Sequence, residues 1–350
     1  MKKKIRKEWF GAMMLALGFM ACAGIESTPA WVSGELPAEY ARKRFVSALG
    51  TGEDLSAARA TAKGELSRIF SARLDSELLL SENETVLDGR SSQSSTLLGT
   101  TKITTALELQ AAEVPLHWED PKTGTFWALA VLEREAECRR IGVEARDLIT
   151  RLDGEVDAAG VAANPLAALR AALGAARLGG ALDELQARGR VLGRVCLPPR
   201  SQATGTLRRA ADDRMRSLAF SVRGSEVDPA NGEAIGTLPQ LREEIASNLS
   251  RLGFQVGPIS GAESVTVDAR LRLLPVTRGT EWVEFRFEGS AEIASVRPQE
   301  PTLIVVEAEG TESHPEPSSA RLRARRAGEQ ALAAALDRRL KSYLGVGAED

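Results

Sequence analysis

The chain has 350 residues, 27% of them charged and 5% aromatic, and its 45 basic and 48 acidic side chains leave a formal net charge of −3. That length allows two domains and a connector, while the near-neutral balance offers no general attraction to nucleic acid. Only two histidines are present, His117 and His314, and neither has a second histidine or a cysteine at ligand spacing, which argues against a zinc site.

Met1 to Lys7 carries five basic residues and is followed by an apolar stretch from Trp9 to Ala21 and then by Cys22. Thirteen residues match the apolar core of a signal peptide and fall short of the ~20 needed to span a bilayer as a helix. Ala21-Cys22-Ala23-Gly24 resembles the lipobox of bacterial lipoproteins, with Phe19 where that motif usually carries leucine. The resemblance implies that Cys22 receives a diacylglyceryl group and becomes the first residue of the mature protein, with palmitate as an acyl component. Ala23, in place of aspartate, implies sorting to the outer membrane, and a lipid anchor there is expected on the periplasmic face ahead of the cell surface. Cleavage with Cys22 unmodified and an uncleaved anchor are the alternatives. Loss of residues 1–21 removes five basic residues and Glu8 and moves the net charge to −7. Cys138 and Cys196 then remain in a compartment that permits oxidation. They are candidates for a disulfide, although two separate half-buried thiols are the simpler reading.

After a tether at 22–28, Tyr40 to Gly50 reads as a short strand leading into a Gly-Thr-Gly turn at 50–52. A helix follows. Glu53 and Asp54 suit its positive N-terminal end, and Ala58, Ala62, Leu66, Ile69 and Phe70 repeat on one face. Ser81 to Ser95 reads as a mobile loop. Ile103 to Ala111 alternates as a strand, and the apolar parity then moves to Val114, Leu116 and Trp118, which predicts a bulge near Ala111–Glu113. Glu119 to Gly124 is a turn. Thr125 to Leu132 returns as a central strand with Trp127, Leu129 and Val131 on one face and Phe126 and Ala130 on the other.

Pro29-Ala30-Trp31-Val32, the glycine turn, the helix containing Ala57, Ala58, Ala60 and Ala62, and the hairpin ending in Thr125 to Leu132, in this order behind a lipobox-like cysteine, resemble the LPP-twenty lipoprotein domain over residues 29 to about 140. A related arrangement occurs in the N-terminal part of flagellar assembly protein T. The resemblance implies an envelope lipoprotein without known catalysis, and it carries over no catalytic residue.

From Glu133 to Val195 the alanine- and leucine-rich chain favours helices. Asn164-Pro165 is a cap followed by a first-turn proline, Leu166, Leu169 and Leu173 share a face, and Gly179-Gly180 is read as the stop before a second helix. Leu197-Pro198-Pro199 ends this helical hairpin. Ser217 to Arg223 is the next strand, and Thr237-Leu238-Pro239-Gln240 fits a capping box before a stripe of Leu238, Leu241, Ile245, Leu249 and Leu252 that stops at Gly253. Val265 to Leu273 and Val283 to Ile293 alternate as strands with one apolar and one wet face. Pro301 to Glu309 adds a strand, and Arg321 to Leu344 a closing helix with a basic strip. The expected fold class is α+β, with two domains that each pack an antiparallel sheet with helices, joined by an α-helical hairpin. The domains fall at 1–21 (signal peptide), 22–28 (tether), 29–135 (LPP-twenty-like domain), 136–199 (helical connector) and 200–346 (an α/β sandwich).

No constellation for catalysis, metal or cofactor stands out, and the expectation is a non-enzymatic protein. Glu119-Asp120 is an acidic pair in a turn, where Asp-Pro is ordinary loop chemistry. Gly50-Thr51-Gly52 lacks the longer glycine fingerprint of a phosphate loop, and the serines at 91–95 have no nucleophile frame. Trp31, Trp118 and Trp127 are candidate stacking residues for a ligand, and tryptophans in a strand-rich domain usually serve as core. The expected role is a structural or partner-docking component of the cell envelope, held to the bilayer through acylated Cys22 and meeting other envelope proteins, with no nucleic acid. A periplasmic binding module for a cell-wall glycan, such as peptidoglycan, or for a small ligand is the alternative.

Overall fold

A computed structural model describes residues 28–86, 111–258, 263–276, 282–295 and 302–346. Two 3-10 turns, Ala30–Ser33 and Ala38–Tyr40, precede strand β1 (Phe45–Gly52) and helix α1 (Leu55–Val86). Strands β2 (Glu113–Glu119) and β3 (Phe126–Glu133) form a hairpin and complete a three-stranded antiparallel sheet in the order β1-β3-β2. The return strand is therefore central, as its two-sided pattern predicts. A register shift lies between Glu113 and Leu116, at and just beyond the expected bulge, and it lets Leu116 and Trp118 face the same side as Leu129 and Trp127. Residues 103–110 of the expected strand lie outside the described residues.

The two faces of this sheet differ in side-chain size. One is built of Val46, Ala48, Gly50 and Gly52 from β1 and Ala128, Ala130 and Leu132 from β3, and α1 lies across it through Ala58, Ala62, Leu66 and Phe70, all fully buried. A β-carbon on Gly50 would stand 2.0 Å from the Ala62 nitrogen, and one on Gly52 2.4 Å from the Ala58 nitrogen. Gly50-Thr51-Gly52 is thus the end of β1 and not a turn, and its glycines let helix and strand backbones approach closely. The strand starts at Phe45 because Ala38–Tyr40 is a 3-10 turn. At its N-terminus, α1 is capped by Asp54, whose carboxylate accepts from the Ala57 amide at 2.7 Å. The helix runs on through Ser81–Val86, where a loop was expected. Between Gly64 and Gly89 the sequence has no glycine or proline to stop it, and each added residue completes another hydrogen bond.

Helices α2 (Arg134–Val161) and α3 (Pro165–Val191) form the hairpin. Asn164 caps α3 as expected, its Oδ1 accepting from the Leu166 amide at 2.8 Å and the Ala167 amide at 3.2 Å. The break expected at Gly179-Gly180 is absent, and α3 continues through both glycines. A β-carbon on Gly179 would meet Leu207 Cδ1 at 2.9 Å and Thr204 Oγ1 at 3.0 Å, so this glycine admits the next helix, α4 (Thr204–Ser217). That helix escaped the sequence reading because its charged residues mask a short stripe of Leu207, Ala211 and Met215, at spacings of four, all buried.

The second sheet has strands β4 (Leu218–Val227), β5 (Ala234–Thr237), β6 (Gln255–Val256), β7 (Glu263–Val276), β8 (Val283–Ser295) and β9 (Ile304–His314), in the order β5-β4-β7-β8-β9 with β6 beside β4. Its pairings are antiparallel except that β4 runs parallel to β7 and to β6. Helices α5 (Pro239–Arg251) and α6 (Pro317–Leu344) cover the apolar face. The α5 stripe is placed as read, from Leu238 to Leu252, but the capping box does not form. Thr237 is held in β5 opposite Ser225, and no side chain caps the helix.

The architecture is α+β, two sheets with helices joined by the α2–α3 hairpin. The hairpin belongs to both cores. Ile141, Ala145, Leu152, Leu182 and Leu185 pack with α1 and the first sheet, whereas Ala159, Leu166, Leu169 and Leu173 pack with the second.

Candidate functional site

The other face of the first sheet carries its large side chains. Phe45 and Leu49 of β1, Trp127, Leu129 and Val131 of β3, and Leu116 and Trp118 of β2 meet there, with Trp118 directly opposite Trp127. The segment between Thr28 and Arg44 lies over part of this face. Trp31, 8% exposed, packs with Leu129 and Val131, and Val32, Leu36 and Tyr40 extend the cover. The rings of Tyr40 and Phe45 meet edge to face at 5.6 Å, and the Arg44 guanidinium lies over the Phe45 ring at 5.3 Å. The three tryptophans singled out from the sequence therefore come together in one cluster. Trp31 is packed as core, while Trp118 and Trp127 keep part of their surface in solvent.

Cys22 lies outside the described residues, as do the serines at 91–95. Cys138, near the start of α2, and Cys196, just after α3, are joined in a disulfide with Cα atoms 5.0 Å apart, which corrects the reading of two separate thiols. Neither the local pattern nor the spacing of 58 residues revealed this. The pairing depends on the hairpin returning Cys196 to the start of α2, where Gly142 and Gly189 leave room for its segment: β-carbons there would lie 3.0 Å from the Cys196 carbonyl oxygen and 3.3 Å from its Sγ.

The remaining candidates stay apart. His117 is exposed on β2, and His314 ends β9, where its Nδ1 accepts from the Glu316 amide at 3.1 Å. Asp120 accepts from the Lys122 amide and from the Thr123 hydroxyl, each at 2.9 Å, and these bonds hold its carboxyl below the usual range as a turn residue. A shallow depression beside it is lined by Thr51, Gly52, Glu53, Thr123, Gly124 and Thr125. Among the described residues, no three or more His, Cys, Asp or Glu side chains gather as metal ligands would. The basic strip of α6 is partly neutralised. Arg321 and Arg325 contact Glu226 of β4, Arg325 also holds the buried Glu329 at 3.2 Å, and Lys341 holds Asp337 at 2.7 Å.

No family profile matches the chain. No curated protein does either. Solved structures similar to it include a secreted protein of Helicobacter pylori (11% identity, 82% of this chain and 98% of that one, TM-score 0.37), a minor lipoprotein of Acinetobacter baumannii (14% identity, 35% and 90%, TM-score 0.25) and a lipoprotein of Neisseria meningitidis (11% identity, 32% and 96%, TM-score 0.21). Likeness at these scores is too loose to carry an argument about fold or function. No helix among the described residues is long and apolar enough to cross a membrane.

Proposed function

We propose that this protein is a non-enzymatic lipoprotein of the bacterial cell envelope, acylated at Cys22, held at the periplasmic face of the outer membrane and docking other envelope proteins during assembly of a surface or secretion structure. The observation that carries the reading is the N-terminal order of basic residues, a short apolar core and Ala21-Cys22-Ala23-Gly24, followed within a few residues by folded chain. Membership of the LPP-twenty group is part of the proposal and rests on the residues that resemble it. Two or three acyl chains at one cysteine, each methylene worth ~0.8 kcal/mol when buried, hold a protein on a bilayer where a single chain does not.

Radiolabelled palmitate fed to expressing cells is expected to label the protein, and Cys22→Ser to abolish the label and move the protein from the detergent phase into the aqueous one. An unlabelled native protein that washes free of membranes would overturn the anchor. Copurification from mildly solubilised envelopes tests the docking role, which recovery of a lone monomer would count against.

A further inference from the structure

The route by which the chain enters the fold assigns an orientation to the anchored molecule. Thr28 and Pro29 lead into the 3-10 turn whose Trp31 packs on Leu129 and Val131, so the chain arrives over the aromatic face of the first sheet and not over its α1 side. From Cys22 to Thr28 there are six residue steps, which span at most about 21 Å even when fully extended. Helices α2 and α3, of 28 and 27 residues, are each about 40 Å long, and the second sheet is packed at their far end, around Ala159 and Leu166. A tether of that reach keeps the first sheet near the leaflet and leaves the second sheet distant.

The surface presented has the chemistry of a lipid headgroup zone. Trp118 and Trp127 stand side by side and half-buried, and indoles favour the level where apolar and polar surroundings meet. At the other end of the same strands, Arg42, Lys43 and Arg44 are all exposed, with Arg44 stacked on Phe45 of the cluster. Arg44 also reaches Glu133 at 3.3 Å, and no ion pair involving Arg42 or Lys43 occurs among the described residues. Glu35 and Glu39, in the same covering segment, leave it with one excess positive charge. Such a cluster is drawn to anionic phosphates close to a membrane surface.

From this we infer that the face formed by Trp118, Trp127 and the Arg42–Arg44 turn rests on the phospholipid headgroups of the leaflet that holds Cys22, presenting the second sheet away from the membrane. The inference rests on the acyl anchor proposed above, and one experiment separates the two. The full-length acylated protein is reconstituted into vesicles of phosphatidylethanolamine and phosphatidylglycerol, with and without bromine near the top of the acyl chains, and recovered by flotation. Tryptophan emission is expected to fall about twofold in the brominated vesicles. The fall should persist in Trp282→Phe, which removes the exposed tryptophan of the distant sheet, and vanish in the Trp118→Phe/Trp127→Phe pair. Arg42→Glu/Lys43→Glu should weaken it. Flotation with equal emission in both vesicles would overturn the orientation while leaving the anchor intact, and so would quenching that Trp282→Phe removes. Failure to float would overturn the anchor and the orientation with it.

Discussion

Gly50 of β1 and Gly64 of α1 belong to the same β-α unit and have opposite roles. A methyl group on Gly50 would run into the Ala62 backbone, whereas one on Gly64, exposed on α1, meets nothing within 4 Å. Gly50→Ala is therefore expected to cost about 1–3 kcal/mol, because helix or strand must shift. Gly64→Ala should add about 0.5–1 kcal/mol by improving helix propensity. Urea unfolding of the two variants checks both signs, and equal effects would remove the close-approach argument. The sequence showed glycine at 50 and 52 and small residues in the facing helix, but glycine between apolar segments reads as a turn until a helix is known to lie across it. Trp31, Trp118 and Trp127 were visible as residues of interest for the same chemical reason that they cluster. Which of them is core and which remains at the surface depends on the segment folded over them.

The α2–α3 hairpin shows how far periodicity extends at the scale of elements. Asn164-Pro165 marked the start of α3 because cap and proline act through adjacent backbone groups. Gly179 gave a false stop, because its cause is contact with α4 and not the helix's own geometry. Two long-range links hold the hairpin, one at its open end and one midway along α3. Arg134 donates to the Leu192 carbonyl at 2.8 Å, and Arg177, its pKa lowered by burial, donates to the Leu344 and Gly345 carbonyls at the end of α6 at 3.0 and 3.1 Å. The Cys138–Cys196 bridge closes the same end of the hairpin as Arg134. Its removal by Cys138→Ala/Cys196→Ala is expected to lower stability by about 2–4 kcal/mol, chiefly by freeing the unfolded chain. Chemical denaturation of the oxidised protein and the double variant measures this, and intact mass under non-reducing conditions reports whether the bond is present. Matching unfolding midpoints would show that the bridge contributes nothing.

Across the whole molecule, α2 and α3 supply fully buried leucines to both cores, so neither core can open without exposing part of a helix that the other also uses. Thermal unfolding is expected to be a single transition. Of the four tryptophans after Trp9, Trp118 and Trp127 lie in the first sheet and Trp31 packs against it, so fluorescence follows that end while far-UV circular dichroism follows both. Coincident midpoints by the two probes are expected. A fluorescence midpoint separated from the circular dichroism midpoint would show that the two ends unfold independently. The proposed orientation on a membrane belongs to this scale as well, since it is argued from where the tether joins the fold and from the length of the hairpin behind it.

The sequence by itself determined the features whose causes are local. These are the capped start of α3, the stripe of α5, the alternation of β7 and β8 and the central place of β3, since each depends on neighbours within a few residues. Tertiary structure decided the rest. It continued α3 through its glycines, parted the small face of the first sheet from the aromatic one, set β4 parallel to β7 and brought Cys138 to Cys196. These outcomes depend on which distant surfaces come to share one space, and a one-dimensional pattern does not encode that proximity.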